Sequence, residues 1–340
     1  MGLQEFWFIL IAVLFVGYFV LEGFDYGVGM LLPTLGNTEV RRRVVINTIG
    51  PVWDGNEVWL IVGGGALFAA FPDWYATLFS GFYIPLLLIL VALILRICAI
   101  EWRGKIDDDK WRWRADLGIM IGSWVPAVLW GVAFANIVRG VAINADKKVT
   151  SGFFDLLNPY ALLGGITTGL VFALHGAVFV ALKTADDVRL DAAELAKKLA
   201  IPTVPIAGGF ALWTQLAYGK GWTWLLVAVA AVAVIAVVLL TRLEREGWAF
   251  VFTTIAIVAS VVLLFASLYP NVMPSTISDA YSLTIENASS SPYTLKVMSW
   301  AAVVLVPIVL VYQGWTYWVF SKRISTKNIP PSIGLPTKLG

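Results

Sequence analysis

Long apolar stretches, separated by short polar or charged segments, dominate this chain. Each stretch is close to or longer than the ~20 residues that cross the ~30 Å apolar core of a bilayer. Because lipid cannot satisfy backbone polar groups, such segments must be helical. The pattern predicts an all-α polytopic membrane protein whose single transmembrane domain, residues 1–321, precedes a cytoplasmic tail, residues 322–340. The nine predicted spans are 5–32, 52–72, 75–97, 116–138, 158–182, 199–217, 222–241, 248–269 and 296–320.

Lysine and arginine alternate between the connecting segments. The segments after spans one, three, five and seven, together with the C-terminal tail, hold 19 of the 24 basic residues when residues at span ends are included. Cytoplasmic loops are enriched in these residues, so we expect the N-terminus outside and the C-terminus in the cytoplasm. A missed span would scramble the alternation, which supports the number nine. Residues 185–198 predict a short amphipathic surface helix that is separate from the sixth span.

Composition agrees with a membrane protein and excludes several chemistries. The chain is 59% hydrophobic and 14% charged, whereas soluble domains average about 25% charged residues. A net charge of +2 does not indicate a nucleic-acid partner, and we expect none. The single cysteine, Cys98, excludes a disulfide or a cysteine-based metal cluster within the chain.

The single histidine, His175, excludes bis-histidine haem ligation within this chain. The motifs CxxCH, GxxxxGK[ST], HExxH and GxGxxG do not occur. We therefore expect no catalytic residue, no metal site and no cofactor held by this chain alone. His175 is predicted to be a packed, hydrogen-bonded core residue rather than a ligand or proton carrier.

Two pairs of acids interrupt the first two apolar stretches. Glu22 and Asp25 lie in the first span, and Asp54 and Glu57 lie at the start of the second, each pair at i, i+3. A charged group at the bilayer centre costs roughly 2.5–3.5 kcal/mol on insertion scales. The predicted topology places both pairs near the cytoplasmic face. Carboxyl groups in apolar surroundings can exchange protons near neutral pH, so the four acids predict a proton path.

Other interpretations of the acids remain open at this stage. They could be structural, paired with Arg96, Arg103 or backbone amides at span ends. The chain could also be a proton- or cation-coupled secondary transporter, for which a substrate site near the membrane midplane is expected. A purely structural subunit is a third option. Trp53 and Trp59 flank the acids and are predicted to pack against a partner or cofactor there.

Several stretches resemble subunit II of the cytochrome bd-type quinol oxidases. They occur from end to end, so the resemblance covers nearly the whole chain, and the block WDGNEVWL (53–60) is specific to that family. The matching stretches are LEGFDYGVGML (21–31), RRRVVINTIGPVWDGNEVWLIVGGGALFAAFPDWYA (41–76), GSWVPAVLWGVAF (122–134), GWAFVFTT (247–254), PNVMPS (270–275), NASSSPYTLKVMSW (287–300) and VPIVLVYQGWTYW (306–318).

The resemblance implies a haem-free half of a heterodimer in a bacterial cell membrane. Its partner, subunit I, binds haems b and d and the quinol site, and reduces oxygen to water; small accessory subunits can join. The expected fold is two four-helix bundles plus a ninth helix. In some members a quinone is also bound structurally in subunit II.

The resemblance also implies a cytoplasmic proton channel along the subunit interface. The acids at Asp25 and Asp54 belong to it, and Glu22 aligns with another acidic position of the same motif. The resulting hypothesis is that protons enter near Asp25 and Glu22, pass Asp54 with Glu57 nearby, and cross to the partner.

Overall fold

Helices account for most of the computed structural model, which describes residues 2–331 and 334–336. The helices are α1 (Leu3–Leu35), α2 (Glu39–Ile49), α3 (Trp53–Ala70), α4 (Pro72–Gly81), α5 (Tyr83–Trp102), α6 (Asp109–Arg139), α7 (Pro159–Lys183), α8 (Asp186–Tyr218), α9 (Trp224–Arg242), α10 (Glu246–Leu268) and α11 (Pro292–Val319). The strands are β1 (Ile106–Asp107), β2 (Asn271–Met273), β3 (Leu283–Thr284) and β4 (Leu335–Pro336). β1 pairs with β4 in parallel and β2 with β3 antiparallel.

Eight helices in the described part of the chain are long and apolar enough to cross a membrane. They confirm a multi-pass helical membrane protein. The helix at the predicted second span, α3, is 18 residues long but is not among the eight. Its first turns carry Asp54, Asn56 and Glu57, which lower its apolar character. The predicted total of nine spans therefore depends on α3 and stays a prediction.

Two predicted boundaries are wrong. The third span, 75–97, is interrupted at Phe82, where α4 ends and α5 begins. Gly81 lies so close to Val149 that a Cβ atom there would overlap it, and the chain bends at Phe82, which is fully buried. The helix predicted at 185–198 is not separate, because α8 runs without a break into the sixth span. Buried residues spaced by four continue one apolar face along its first half, namely Val188, Ala192, Ala196 and Ala200.

Helix α1 lies at the centre of the packing and contacts α3, α6, α7 and α10. Its Gly27 faces Gly176 of α7 so closely that a Cβ on either residue would overlap the other helix's backbone, a spacing typical of small-residue contacts between membrane helices. Helix α11 lies at the edge, packs on α1 and α3, and has one buried residue, Leu295.

Ion pairs join the helix ends that the topology assigns to the cytoplasmic side. Arg103, after α5, donates to both carboxylate oxygens of Glu39 at 2.8 Å each, and to Asp116 Oδ1 of α6 at 2.6 Å. Partial burial alone would raise the pKa of Glu39, but the hydrogen bonds and charge of Arg103 outweigh it and hold that pKa below its usual value. Further pairs at this end are Arg41–Asp191, Arg42–Asp116, Arg189–Glu246 and Lys197–Glu244.

The start of the predicted tail lies against this same end. Ile324 N–H donates to Lys183 O at 2.9 Å, and the Ala185 N–H donates to Ile324 O at 2.9 Å. Arg43 Nη1 donates to Pro330 O at 2.6 Å. The helix ends that are predicted to lie on the cytoplasmic side are therefore close together in the structure. Which side of the membrane they face stays a prediction.

We expect Asp116→Asn to destabilise the protein by about 2–3 kcal/mol, because Arg103 is 4% exposed and would lose its charged partner in α6. The thermal unfolding temperature of the purified protein in detergent measures this. Asp109→Asn is the matched control: the Asp109 side chain is 97% exposed, and its loss should leave the transition unchanged. Equal transitions for the two variants would contradict a structural role for the Arg103 ion pairs.

Candidate functional site

Three helices bring a buried group of charged side chains together inside the bundle. We call it the carboxyl cluster: Glu22 and Asp25 of α1, Glu57 of α3 and Arg96 of α5. Glu22, Asp25 and Arg96 are completely buried, and the Glu57 side chain is 12% exposed. All four lie in the helix halves that the topology assigns to the cytoplasmic side.

Arg96 holds the cluster together. Its Nη1 donates to Glu22 Oε1, and to Glu57 Oε1 at 3.2 Å. The guanidinium also lies over the ring of Tyr26, with Cζ 5.0 Å from the centroid, a favourable cation–π geometry. One guanidinium thus contacts two carboxyl groups, Glu22 and Glu57, while Asp25 lies one turn from Glu22 on α1. The guanidinium can balance one negative charge, and a buried charge without a partner costs several kcal/mol, so the remaining carboxyl groups suit proton binding and release.

Asp25 is held by a hydrogen-bonded chain that reaches the edge helix α11. Asn56 Nδ2 donates to Asp25 Oδ2 at 2.7 Å. Asn56 Oδ1 accepts from Tyr317 Oη at 2.7 Å and from Gln313 Nε2 at 3.3 Å. Gln313 Oε1 in turn accepts from Trp59 Nε1 at 2.8 Å. These contacts fix which oxygen of Asp25 is engaged and tie α11 to the cluster.

Four buried atoms of the cluster have no hydrogen-bond partner within the described residues: Glu22 Oε2, Asp25 Oδ1, Arg96 Nε and Arg96 Nη2. Buried polar atoms are nearly always paired, with protein or with ordered water. Polar surroundings of this kind are where buried water is found, typically with about three hydrogen bonds each. The cluster therefore keeps hydrogen-bonding capacity that the described protein residues do not use.

Asp54 is the one predicted acid that the structure keeps apart. α3 begins at Trp53, so Asp54 and Glu57 do occupy one helix, yet only Glu57 reaches Arg96. Asp54 is exposed and, within the described chain, makes no hydrogen bond or ion pair. Glu22 and Asp25, where protons are predicted to enter, are fully buried, and the order of transfer stays a prediction.

The two flanking tryptophans differ in their surroundings. Trp53 is 7% exposed and packs inside this chain. Trp59 is half-buried and lies against Gly17, where a Cβ would overlap its ring. Contact of either ring with a partner subunit stays a prediction.

His175 is a packed, hydrogen-bonded core residue, as predicted. It is fully buried, with Nδ1 2.6 Å from Thr253 Oγ1 and Nε2 3.1 Å from Val20 O. Its ring stacks on Phe250 at 4.6 Å. Both ring nitrogens are engaged, so the donor set of the described chain does not fit a haem. Nor do residues 2–331 and 334–336 bring three or more histidine, cysteine, aspartate or glutamate side chains together as metal ligands.

Sequence reasoning missed part of the site. Asn56 lies inside the WDGNEVWL block but carries no charge, and Gln313 and Tyr317 lie far away in sequence. A useful signal was present: Gln313 is a lone amide within an otherwise apolar and aromatic run, and such a group needs a partner inside the membrane. Arg96 is one of the partners that the sequence offers for the acids, and it does pair with Glu22 and Glu57, but its central position was not predicted.

Fold and site together define a polytopic helical membrane protein with a buried, arginine-held group of carboxyl side chains. The family model for the cytochrome bd terminal oxidase subunit II matches residues 3–320. The chain therefore belongs to this family, and the resemblance found in the sequence is confirmed.

Individual relatives agree. The cytochrome bd ubiquinol oxidase subunit 2 of Bacillus subtilis (strain 168) is 45% identical over 333 residues, covering 96% of this chain and 98% of that protein. The cytochrome bd-I ubiquinol oxidase subunit 2 of Escherichia coli (strain K12) is 37% identical over 367 residues, covering 96% of both chains. A chain from the solved structure of the bd oxidase from Geobacillus thermodenitrificans superposes with a TM-score of 0.76 at 16% identity, covering 95% of this chain and all of that chain, which shows the fold alone.

Removing one partner from the Arg96–Glu22 pair should cost more than removing both. Arg96→Met leaves buried carboxylates without a cation, and we expect a loss of roughly 3–5 kcal/mol in the free energy of unfolding. Arg96→Met combined with Glu22→Gln should recover part of that loss. Denaturant titration of the purified protein measures both. The control Arg114→Met removes an exposed arginine and should change little; strictly additive losses for the Arg96 and Glu22 substitutions would argue against the pair.

Proposed function

We propose that this chain is the haem-free, non-catalytic subunit II of a bd-type quinol:oxygen oxidoreductase and carries protons from the cytoplasm toward subunit I. The observation that carries the proposal is the carboxyl cluster, in which Glu22 and Glu57 share the guanidinium of Arg96 and the fully buried Asp25 lies one turn along α1. Subunit I supplies haems b and d and the quinol site, and quinol and oxygen are substrates of the whole complex.

The route we infer starts at Asp54, which is exposed at the beginning of α3. Glu57, one turn further along α3, is the next carboxyl group and already contacts Arg96. Through Arg96 it is linked to Glu22, and Asp25 lies one turn along α1. The route passes from exposed Asp54 through Glu57, which is 12% exposed, to the fully buried Glu22 and Asp25. Water at the unpartnered atoms of the cluster would connect them.

The surface beside this route supports a scaffolding role. α3, α5 and α11 expose rows of large apolar side chains, including Ile61, Leu88 and Ile308. Either a membrane partner or lipid can cover such a surface. Asp54 lies seven residues before Ile61 in the sequence of α3. We propose that subunit I covers part of this surface and receives protons there, with small accessory subunits and lipid on the remainder.

We also propose nine spans in the bacterial plasma membrane, with the N-terminus outside and the C-terminus in the cytoplasm. Within them we propose two groups of four, α1/α3/α5/α6 and α7/α8/α9/α10, with α11 as the additional helix; α5 packs on α6 and α9 on α10, and α7 packs on both α1 and α6 where the groups meet. The grouped helix ends described above agree with the alternation of basic residues.

A secondary transporter finds less support. The cavity among α1, α6, α7, α8, α9 and α10, lined by Phe19, Trp130 and Phe172 among others, has a volume of about 70 Å³. Small-molecule sites usually measure ~300–1,000 Å³. This cavity between the helices is therefore too small for a transported substrate. A structural quinone stays a prediction for this chain.

Asp54→Asn and Asp25→Asn keep side-chain shape while removing a titrating group. In the intact complex we expect each to lower oxygen consumption at least about tenfold, because positioned proton-transfer groups contribute ~10²–10⁴-fold. Oxygen uptake at several pH values measures this, and the reduced-minus-oxidised haem spectrum confirms assembly. Asp109→Asn, exposed at the same end, is the control.

The outcomes separate the interpretations. Unchanged turnover in an intact Asp54→Asn complex would remove Asp54 from the route, even if Asp25→Asn is slow. Loss of the haem spectrum in both variants would instead indicate acids that only brace the assembly. A folded preparation without haem bands or a copurifying larger subunit would contradict the oxidase proposal itself.

A further inference from the structure

A second, larger cavity lies at the end of the bundle where the tail begins. Its volume is about 550 Å³, within the range of small-molecule sites. The end of α2 with the turn after it, α7, α10, α11 and the first tail residues line it, and its apolar wall includes Phe179, Leu182, Phe250 and Phe320. Tyr317, which reaches Asn56 beside the carboxyl cluster, lines one side of the cavity, but none of the four predicted acids does. A role other than proton transfer therefore has to be considered for it.

The polar rim of the cavity carries three cations, Lys183, Lys322 and Arg323, and no acidic residue of the described chain lines it. Lys183 Nζ donates to the carbonyl oxygens of Phe320 and Lys322, so its charge has no carboxylate partner among the described residues. Arg323 Nη2 lies 3.8 Å from Glu246 Oε2. Glu246 is already closer to another cation, with Oε1 2.6 Å from Arg189 Nη2, so the rim keeps a net positive charge.

The rim is built by backbone pairing rather than by loose side chains. The tail crosses the end of α7, where Ile324 N–H donates to Lys183 O at 2.9 Å and Ile324 O accepts from Ala185 N–H at 2.9 Å. These bonds hold Lys322 and Arg323 beside the last turn of α7. The cations therefore converge on one opening instead of being dispersed over the surface.

An apolar wall below a cationic rim matches an amphiphile with a negatively charged head. Basic pockets between transmembrane helices on the cytoplasmic side attract anionic headgroups, with about 1 kcal/mol for each Lys or Arg near the surface of an anionic membrane. A free phosphate ion would use the rim and leave the apolar wall unfilled. A zwitterionic lipid would fill the wall but gain little from the net charge of the rim.

We propose that the cavity lined by Phe179, Leu182, Lys183 and Phe320 binds one phospholipid with an anionic headgroup, which Lys183, Lys322 and Arg323 hold. The site lies within subunit II, and the proposal stands whether or not the carboxyl cluster carries protons.

The test uses the purified, delipidated complex in nanodiscs of phosphatidylcholine that contain a small fraction of photoactivatable phosphatidylglycerol. Mass spectrometry of peptides should locate cross-links in residues 179–183 and 317–324. Unlabelled phosphatidylglycerol should compete, whereas added phosphatidylcholine and millimolar inorganic phosphate should not. Lys183→Gln combined with Arg323→Gln should weaken labelling about fivefold for each charge removed.

Lys198→Gln is the matched control, because it removes the same charge from an exposed position, 70% accessible, in the adjacent helix α8. Leu182→Trp fills the apolar part of the cavity without changing its charge, and we expect it to abolish labelling. This second variant tests the proposal even if the double variant does not fold. The haem spectrum reports assembly in each case. Equal competition by phosphatidylcholine, displacement by inorganic phosphate, or labelling that survives both sets of variants would overturn the proposal.

Discussion

A single buried guanidinium, Arg96, is the constraint on which the rest of the structure depends. It is fully buried and contacts Glu22 and Glu57. Moving any one of these charges out of register would leave an uncompensated charge in an apolar interior, at a cost of several kcal/mol. The relative positions of α1, α3 and α5 are therefore determined by electrostatics as well as by packing. Apolar contacts alone favour one arrangement of helices over another only weakly in a membrane, because lipid is as apolar as the helix surfaces.

The same constraint gives the site its chemistry. Glu22 and Glu57 meet one cation and Asp25 lies one turn along α1, so the proton binding of each carboxyl group depends on the charge of the others. Asn56 extends this arrangement to the edge helix through Tyr317 and Gln313. Otherwise α11 packs only lightly, with Leu295 as its one buried residue. A polar contact thus specifies where this apolar helix attaches, which apolar packing alone would specify poorly.

The hydrophobic pattern along the sequence predicted where the helices lie, but not where they are interrupted or continue. The break at Phe82 follows from the approach of Gly81 to Val149 in a distant loop, and no window of sequence contains both partners. The continuity of α8 through Pro202 and Pro205 was hidden because its first half is charged on one side. Its buried side, with Ala192 and Ala196, becomes evident only when the neighbouring helices are in place.

The sequence alone determined the class of protein, most of the membrane-crossing helices and the packed role of His175, because each follows from residue type, spacing and the low polarity of a bilayer. It also determined the family, through the WDGNEVWL block and the stretches around it. Only the tertiary structure decided which acids meet: Glu57 turns inward to Arg96 while Asp54 stays exposed, although both have the same spacing as Glu22 and Asp25. The physical reason is that spacing along one helix defines a face, whereas the charge that the face meets comes from another helix, distant in sequence.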